Sequence, residues 1–363
     1  MSSLFAPITL RGTTIRNRIW LAPMCMYSVE LQDGVPTDWH LAHLGARAQG
    51  GFGLVMTEAT AVVPEGRISP QDTGIWNDDQ VAAWQRITAF IASQGATPAI
   101  QLAHAGRKAS TRRGFPGEAT GIAPADEGGW TPVGPSGAPF PGLLEPTELT
   151  TDDLAAVVRA FAEAAGRAVR AGFEVLEVHS AHGYLLHQFL SPLSNHRTDS
   201  YGGPFANRSR LLLEVVDAIR AEVGEGVPVI VRISATDWVD DQPAWTLEES
   251  VELAAELSRH GVDLVDVSSG GNAVVPIEVG PGYQVPLATE IRNRGGVRAG
   301  AVGLITTPRQ AEQVIADGHA DVVLLGRAAL RDPHWPQRAA HELGVEVDPA
   351  QLYPPQHVRG AWR

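Results

Sequence analysis

The stretch FEVLEVHSAHGYLL, residues 173 to 186, ends a strand-forming run with His179, His182 and Tyr184. Three polar side chains at a strand mouth can bind a metal, relay protons, or hydrogen-bond one another inside a core. Zinc hydrolases on barrels need a third ligand and an open fourth position, and neither H-x-H nor H-E-x-x-H occurs in the chain. A metal-dependent barrel hydrolase using His179 and His182 therefore stands as the alternative rather than the leading reading. A satisfied core pair is the default for lone histidines. Two histidines and a tyrosine at one strand end can all donate hydrogen bonds to an oxygen on a ligand.

Two other polar residues interrupt apolar strands: Gln101 in PAIQLAH and Arg232 in VPVIVRIS. A buried arginine is costly unless it meets an anion or several acceptors, so Arg232 calls for an electron-rich partner. Its structural alternative is an ion pair with one of the barrel's carboxylates, for example Glu58 or Glu177. A flavin ring satisfies both oddities, with an amide for its pyrimidine edge and a cation for the charge that appears there on reduction. Late in the chain, GAVGLIT and LLGRAAL place Gly303, Gly326 and Arg327 where backbone amides and a guanidinium can grip a phosphate. Singly, such glycines are more often tight turns. Paired with an arginine, and with a ring site nearby, they point to FMN. The run GGFGLV at 50–55 precedes a strand and lacks the third glycine of a dinucleotide fingerprint, which argues against a Rossmann site.

These residues need a scaffold that brings strand ends together. One unit recurs: an Ala-rich amphipathic segment, a glycine, then an apolar run entering a polar cluster, as in AVRAGFEVLEVHSAHG and LSRHGVDLVDVSSGG. Six such units, with NRIWLAPMCMY and GGVRAGAVGLIT, supply eight strands. The spacing predicts a single-domain (β/α)8 TIM barrel over residues 1–363, with an open doubly wound sheet as runner-up. Active sites of barrels lie on the face where the strand-to-helix loops emerge. The Gly- and Pro-rich segment 112–146, after the third strand, reads as a lid-like capping loop or as a surface insertion, and its place above that face favours the lid. Thr150 is the expected N-cap of the next helix, with Asp152 and Asp153 in its first turn.

Composition narrows the function classes. A net charge of −13 with scattered basic residues disfavours nucleic acid, and the longest apolar runs are strand-sized, so no membrane is expected. The single cysteine, Cys25, allows no intramolecular disulfide and no thiolate-rich cluster. The first residues lack a basic region followed by an apolar one, which leads to the expectation of a cytoplasmic protein.

Along nearly its whole length the chain resembles the Old Yellow Enzyme family of FMN-dependent ene-reductases, specifically its thermophilic-like bacterial branch. The resemblance rests on APMCMYS (22–28), EATAVVPEGRI (58–68), DTGIW (72–76), IQLAHAGRKA (100–109), HSAHGYLLHQFLSPLSNHRTDSYGG (179–203), VRIS (231–234) and GR (326–327). It implies non-covalent FMN held by Ala22, Pro23, Met24, Cys25, Ala59, Gln101 and Arg232, with Gly303, Gly326 and Arg327 on the phosphate. It also implies NADPH or NADH as reductant in a ping-pong cycle, and an enone, nitro compound or quinone as substrate. His179 and His182 resemble the pair that binds the substrate oxygen, Tyr184 the proton donor, and Tyr27 a tyrosine that touches ligands. Cys25 marks the branch, since most other members carry threonine there. The resemblance further implies a homodimer or homotetramer, with Arg359 and Trp362 of the 351–363 tail reaching a neighbouring subunit's site. A related flavin barrel, dienoyl-CoA reductase, usually adds an iron-sulfur cluster, which one cysteine cannot ligate.

Overall fold

The computed structural model of the chain describes residues 2–362, so residue 363 of the tail lies outside the described residues. Eight parallel strands close into one barrel: β1 (Ile19–Leu21), β2 (Leu54–Ala61), β3 (Thr97–Ala103), β4 (Val175–Ser180), β5 (Val229–Ser234), β6 (Leu264–Ser268), β7 (Ala299–Ala301) and β8 (Val322–Leu325). Each pairs with its neighbour in sequence, and β8 returns to β1 with Val323 opposite Ile19. The fold is the expected TIM barrel, not the doubly wound sheet. These strands are buried on both faces, which is why they read as unbroken apolar runs rather than alternating ones.

The outer layer consists chiefly of α1 (Asp38–Gln49), α2 (Asp78–Ser93), α3 (Thr151–Arg170), α4 (Arg210–Val223), α5 (Leu247–Arg259), α6 (Val285–Gly295), α7 (Pro308–Ala316) and α8 (Trp335–Glu342). Four of them start in capping boxes: Thr37 with His40, Asn77 with Gln80, Thr150 with Asp153, and Thr246 with Glu249. Thr150 is thus the N-cap its sequence suggests. None of the helices among the described residues is long and apolar enough to cross a membrane.

The lower half of the barrel interior is apolar, filled by Trp20, Leu54, Met56, Val175, Ile230 and Leu324. An N-terminal hairpin, Ile8–Leu10 paired with Thr13–Ile15, adds Ile8, Leu10 and Ile15 to this cluster and closes the barrel floor. Arg11 fixes the hairpin, its Nε donating to Asp263 just before β6 and its guanidinium meeting Glu225 just before β5. Higher up, polar side chains enter. In β2 an irregularity between Met56 and Ala59 adds a residue relative to β3, and Thr57 Oγ1 accepts the Gln101 N–H at 3.2 Å.

Segment 112–146 is more structured than its composition suggests. It holds a 3-10 turn at Ala125–Glu127 and a two-residue strand, Val133–Gly134, paired with Thr147–Glu148. Ser110 Oγ accepts the Trp130 N–H at 2.8 Å, and Arg113 pairs with Glu30 and Glu118. The segment overlies the upper face, where the Phe140 ring lies 4.7 Å from Lys108 Nζ.

Leu10 is fully buried at the end of the barrel opposite His179. Leu10→Ala should therefore cost about 2–5 kcal/mol of stability, seen as a lower urea midpoint, while the circular-dichroism spectrum of the folded variant stays unchanged.

Candidate active site at the upper rim of the barrel

β4 ends in an unusual turn. His182 has φ +58° and Gly183 φ +71°, so two successive residues take the left-handed conformation. A Cβ on Gly183 would lie 2.3 Å from the Gly271 carbonyl oxygen, which explains why glycine occupies the position. Neighbouring strands stitch the turn down. Ser234 Oγ accepts the His182 N–H at 2.9 Å and donates to the Gly270 carbonyl at 2.8 Å. Lys108 Nζ donates to the carbonyls of His182 at 2.7 Å and Gly271 at 2.9 Å. Gln188 Nε2 donates to Gly183 O at 2.7 Å.

The turn gathers three rings. His179 lies edge-to-face with His182 at 5.1 Å between centroids, and with Tyr184 at 5.0 Å. Burial, together with the charges of Arg232 and Lys108, holds both imidazoles well below their usual pKa, so each is neutral near pH 7. His179 Nδ1 is buried without a partner, and His182 Nε2 lies 2.7 Å from Ser268 Oγ. Tyr184 is pushed well above a free phenol by burial and by the neighbouring Cys25 and Asp72, so it keeps its proton. Lys108 is lowered to about 8 by burial and by Arg107. Two cationic side chains beside His179 make this a poor place for a further cation. No group of three or more His, Cys, Asp or Glu side chains that could hold a metal occurs among the described residues.

The residues expected to face a flavin surround this triad. Ala22, Pro23, Met24 and Cys25 follow β1, and Glu58 fixes their loop by accepting the Met26 N–H at 2.7 Å. The other Glu58 oxygen lies 2.9 Å from His40 Nε2. Cys25, Tyr27 and Tyr184 pack with Ala59 and Ala103 in one small apolar cluster. Burial, with the charges of Asp72 and Glu58, raises the Cys25 thiol well above its usual value, so it keeps its proton near pH 7. Gln101 lies beside Glu177 and Arg232 beside Asp266. Arg232 does make an ion pair with a barrel carboxylate, and the partner is Asp266 rather than Glu58 or Glu177, because β5 and β6 place Arg232 and Asp266 directly opposite each other.

These surroundings fit FMN. A pocket of about 230 Å³ at the ends of β7 and β8 is lined by Gly303, Leu304, Gly326, Arg327, Gln284 and Arg331. Gly303 has φ +118°, and a Cβ there would lie 2.9 Å from Gln284 Nε2. Gly326 caps the short helix Arg327–Arg331, whose first amides have no helical partner. The pocket suits a phosphate, and the Arg232 guanidinium and the Gln101 amide at the top of the polar layer suit the ring.

Several functional residues escaped sequence reasoning. Lys108 lies within HAGRKAS and Ser268 within DVSSGG, but their importance lies in contacts to a turn on another strand. Arg359 and Trp362 sit elsewhere. Trp362 stacks on His341 with centroids 4.6 Å apart, and the preceding tail packs where α1 ends, as Gln337 Nε2 donates to Gln49 O and Leu352 O. That is the floor end of the barrel, away from the chain's own His179.

A family model described as NADH:flavin oxidoreductase / NADH oxidase matches residues 3–346. An NADPH dehydrogenase of Geobacillus thermodenitrificans is 48% identical over 363 residues, covering 99% of this chain and 98% of that protein. Among solved structures, morphinone reductase in complex with tetrahydroNAD superposes with a TM-score of 0.77 at 29% identity, covering 98% and 95% of the two chains. An old yellow enzyme homologue from Zymomonas mobilis gives 0.78 at 27%, covering 99% of each.

If Arg327 grips the phosphate, Arg327→Ala should lose a charge-assisted hydrogen bond of about 1.5–3 kcal/mol. Fluorescence titration of the apoprotein should then show FMN binding weakened roughly ten- to a hundredfold. Unchanged affinity would remove Arg327 from the site.

Proposed function

The chain belongs to the NADH:flavin oxidoreductase / NADH oxidase family, and from its site we propose an ene-reductase that reduces the activated C=C bond of α,β-unsaturated carbonyl or nitro compounds. The observation that carries this reading is the contiguous ring cluster of His179, His182 and Tyr184 beside Cys25, Tyr27 and the phosphate-sized pocket. Gln101, Arg232 and the pocket at Gly303, Gly326 and Arg327 would hold FMN, which, once reduced by NADPH or NADH, would supply the hydride for the β-carbon of the alkene. The name of the Geobacillus relative and the tetrahydroNAD held by morphinone reductase support a nicotinamide as reductant.

His179 and His182 do the electrostatic work. Two neutral imidazoles can each donate an N–H to the substrate's carbonyl or nitro oxygen, stabilising the enolate-like charge that develops as the β-carbon is reduced. To do so His182 exchanges the Ser268 hydroxyl for the substrate. Tyr184, whose proton is firmly held, then protonates the α-carbon as general acid. Cys25 and Tyr27 pack in the same cluster as Tyr184. Nicotinamide and alkene use one site in turn, which is a ping-pong cycle.

The remaining elements fit this reading. Segment 112–146, with Phe140 over Lys108, acts as a lid that limits water at the rim. In a homodimer or homotetramer, Arg359 and Trp362 at the floor end of one barrel reach the rim of a neighbour rather than their own. Partners are small oxygenated molecules, quinones included. A cytoplasmic location agrees with the free thiol at Cys25.

Tyr184→Phe should slow the oxidative half-reaction with enones by about 10²–10⁴ and leave flavin reduction by NADPH nearly unchanged. Stopped-flow spectroscopy separates the two, and equal slowing of both would sink the proton-donor role. A second split concerns phenols, which bind the family's oxygen site as phenolates with a long-wavelength charge-transfer band. His179→Ala or His182→Ala should weaken that complex, whereas Tyr184→Phe should leave it largely intact. Titration at the band reports the difference.

A further inference from the structure

Between the apolar floor and the rim, four polar side chains lie on adjacent strands: Gln101 on β3, Glu177 on β4, Arg232 on β5 and Asp266 on β6. Gln101 is opposite Glu177, and Arg232 opposite Asp266. Glu177 and Asp266 are both fully buried. Gln101 Nε2 donates to Glu177 Oε1 at 2.7 Å, and Arg232 Nε lies 2.9 Å from Asp266 Oδ2. Glu177 Oε2 and both Asp266 oxygens accept no hydrogen bond.

Two ionised carboxylates around one guanidinium would leave an uncompensated negative charge away from water, at a cost of several kcal/mol. One proton held between them leaves the layer neutral. We propose that Glu177 and Asp266 hold a single proton between them and, as positioning residues, set the orientation of Gln101 and the charge that Arg232 presents to the flavin. This rests on the reading that Gln101 and Arg232 face the ring.

The hydrogen bonding gives each carboxylate a distinct task. Because Glu177 Oε1 takes the Gln101 N–H, the Gln101 carbonyl is turned away from it and left free to accept from an N–H of the pyrimidine edge. Glu177 does this ionised or protonated, since its proton can reside on Oε2. Asp266 makes Arg232 half of a neutral pair and so moderates its pull on the negative charge of the reduced ring. Burial and the Asp266 charge push Glu177 up to about 8, while Arg232 and the Gln101 hydrogen bond oppose them. Burial also raises Asp266, opposed by Arg232. The groups facing Glu177 are therefore Gln101 from β3, Arg232 from β5 and Asp266 from β6, with neutral His179 on its own strand.

The test is the flavin midpoint potential of the holoprotein, followed from acid to alkaline pH. In Asp266→Asn combined with Glu177→Gln, no carboxylate is left to compensate Arg232, and the equilibrium should move at least tenfold towards reduced flavin, a rise of about 30 mV for a two-electron couple. Glu177→Gln imitates the protonated acid, so it should match the wild type at neutral pH. In alkali the wild type ionises and places a negative charge under the ring, so its potential should fall below that of Glu177→Gln. The comparison cancels ionisation of the flavin itself. If both variants follow the wild type at every pH while Arg232→Gln lowers the potential, the carboxylate proposal is overturned and the placement of Arg232 stands. If none of the three moves the potential, the placement fails and the proposal with it. Should the double variant not fold, infrared spectroscopy of the wild-type holoprotein still decides. A neutral carboxylic acid band that vanishes in alkali and is missing from Glu177→Gln supports the shared proton, and its absence at neutral pH overturns it.

Discussion

A closed ring of eight strands must fill its own interior, and that requirement organises the molecule. The floor is filled with hydrocarbon from Trp20, Met56 and Ile230 and sealed by the hairpin residues Ile8, Leu10 and Ile15. The upper part cannot be filled the same way if a polar ligand is to rest on it. It is built instead from polar groups that lean on one another, Gln101 on Glu177 and Arg232 on Asp266. Their cross-strand positions follow from register, so the same hydrogen bonds that close the barrel decide which charges meet.

On this support sits a turn that does not follow ordinary backbone preference. Holding His182 at positive φ costs on the order of 1–3 kcal/mol, and such a conformation persists only when its surroundings over-determine it. Ser234, Lys108 and Gln188 do so from three directions. The outcome is geometric: residues three and five places along a strand end up as a contiguous set of rings. An ordinary continuation of β4 would have pointed His179 and His182 to opposite faces. Lys108 links this support to the covering segment, since the same ammonium faces Tyr184 at 5.1 Å and Phe140 at 4.7 Å.

Legibility in the sequence follows physical locality. The barrel strands are readable because burial on both faces leaves continuous β-branched runs, and Thr150 is readable because a cap is a local device. Gln101 and Arg232 stand out as polar residues in apolar runs. Glu177 in VLEVHS and Asp266 in LVDVSS carry the same mark, yet the partner of Arg232 depends on how β5 and β6 align, which no local pattern specifies. Lys108 and Ser268 act through contacts to residues far along the chain, so their neighbours in sequence reveal nothing of them. The short pairing of Val133–Gly134 with Thr147–Glu148 lacks any hydrophobic period to announce it. The stacking of Trp362 on His341 is likewise a tertiary event.

The hairpin at the barrel floor sets a schedule for synthesis. Its Arg11 waits for Glu225 and Asp263, and β1 waits for Val323 of the last strand. A nascent chain leaving the ribosome therefore carries Ile8, Leu10 and Ile15 without their final neighbours until most of the protein has been made. Ring closure is a late, long-range event, and such contacts are intrinsically slow to form. During that interval the exposed first strands are the portion of the newborn chain most in need of chaperone protection.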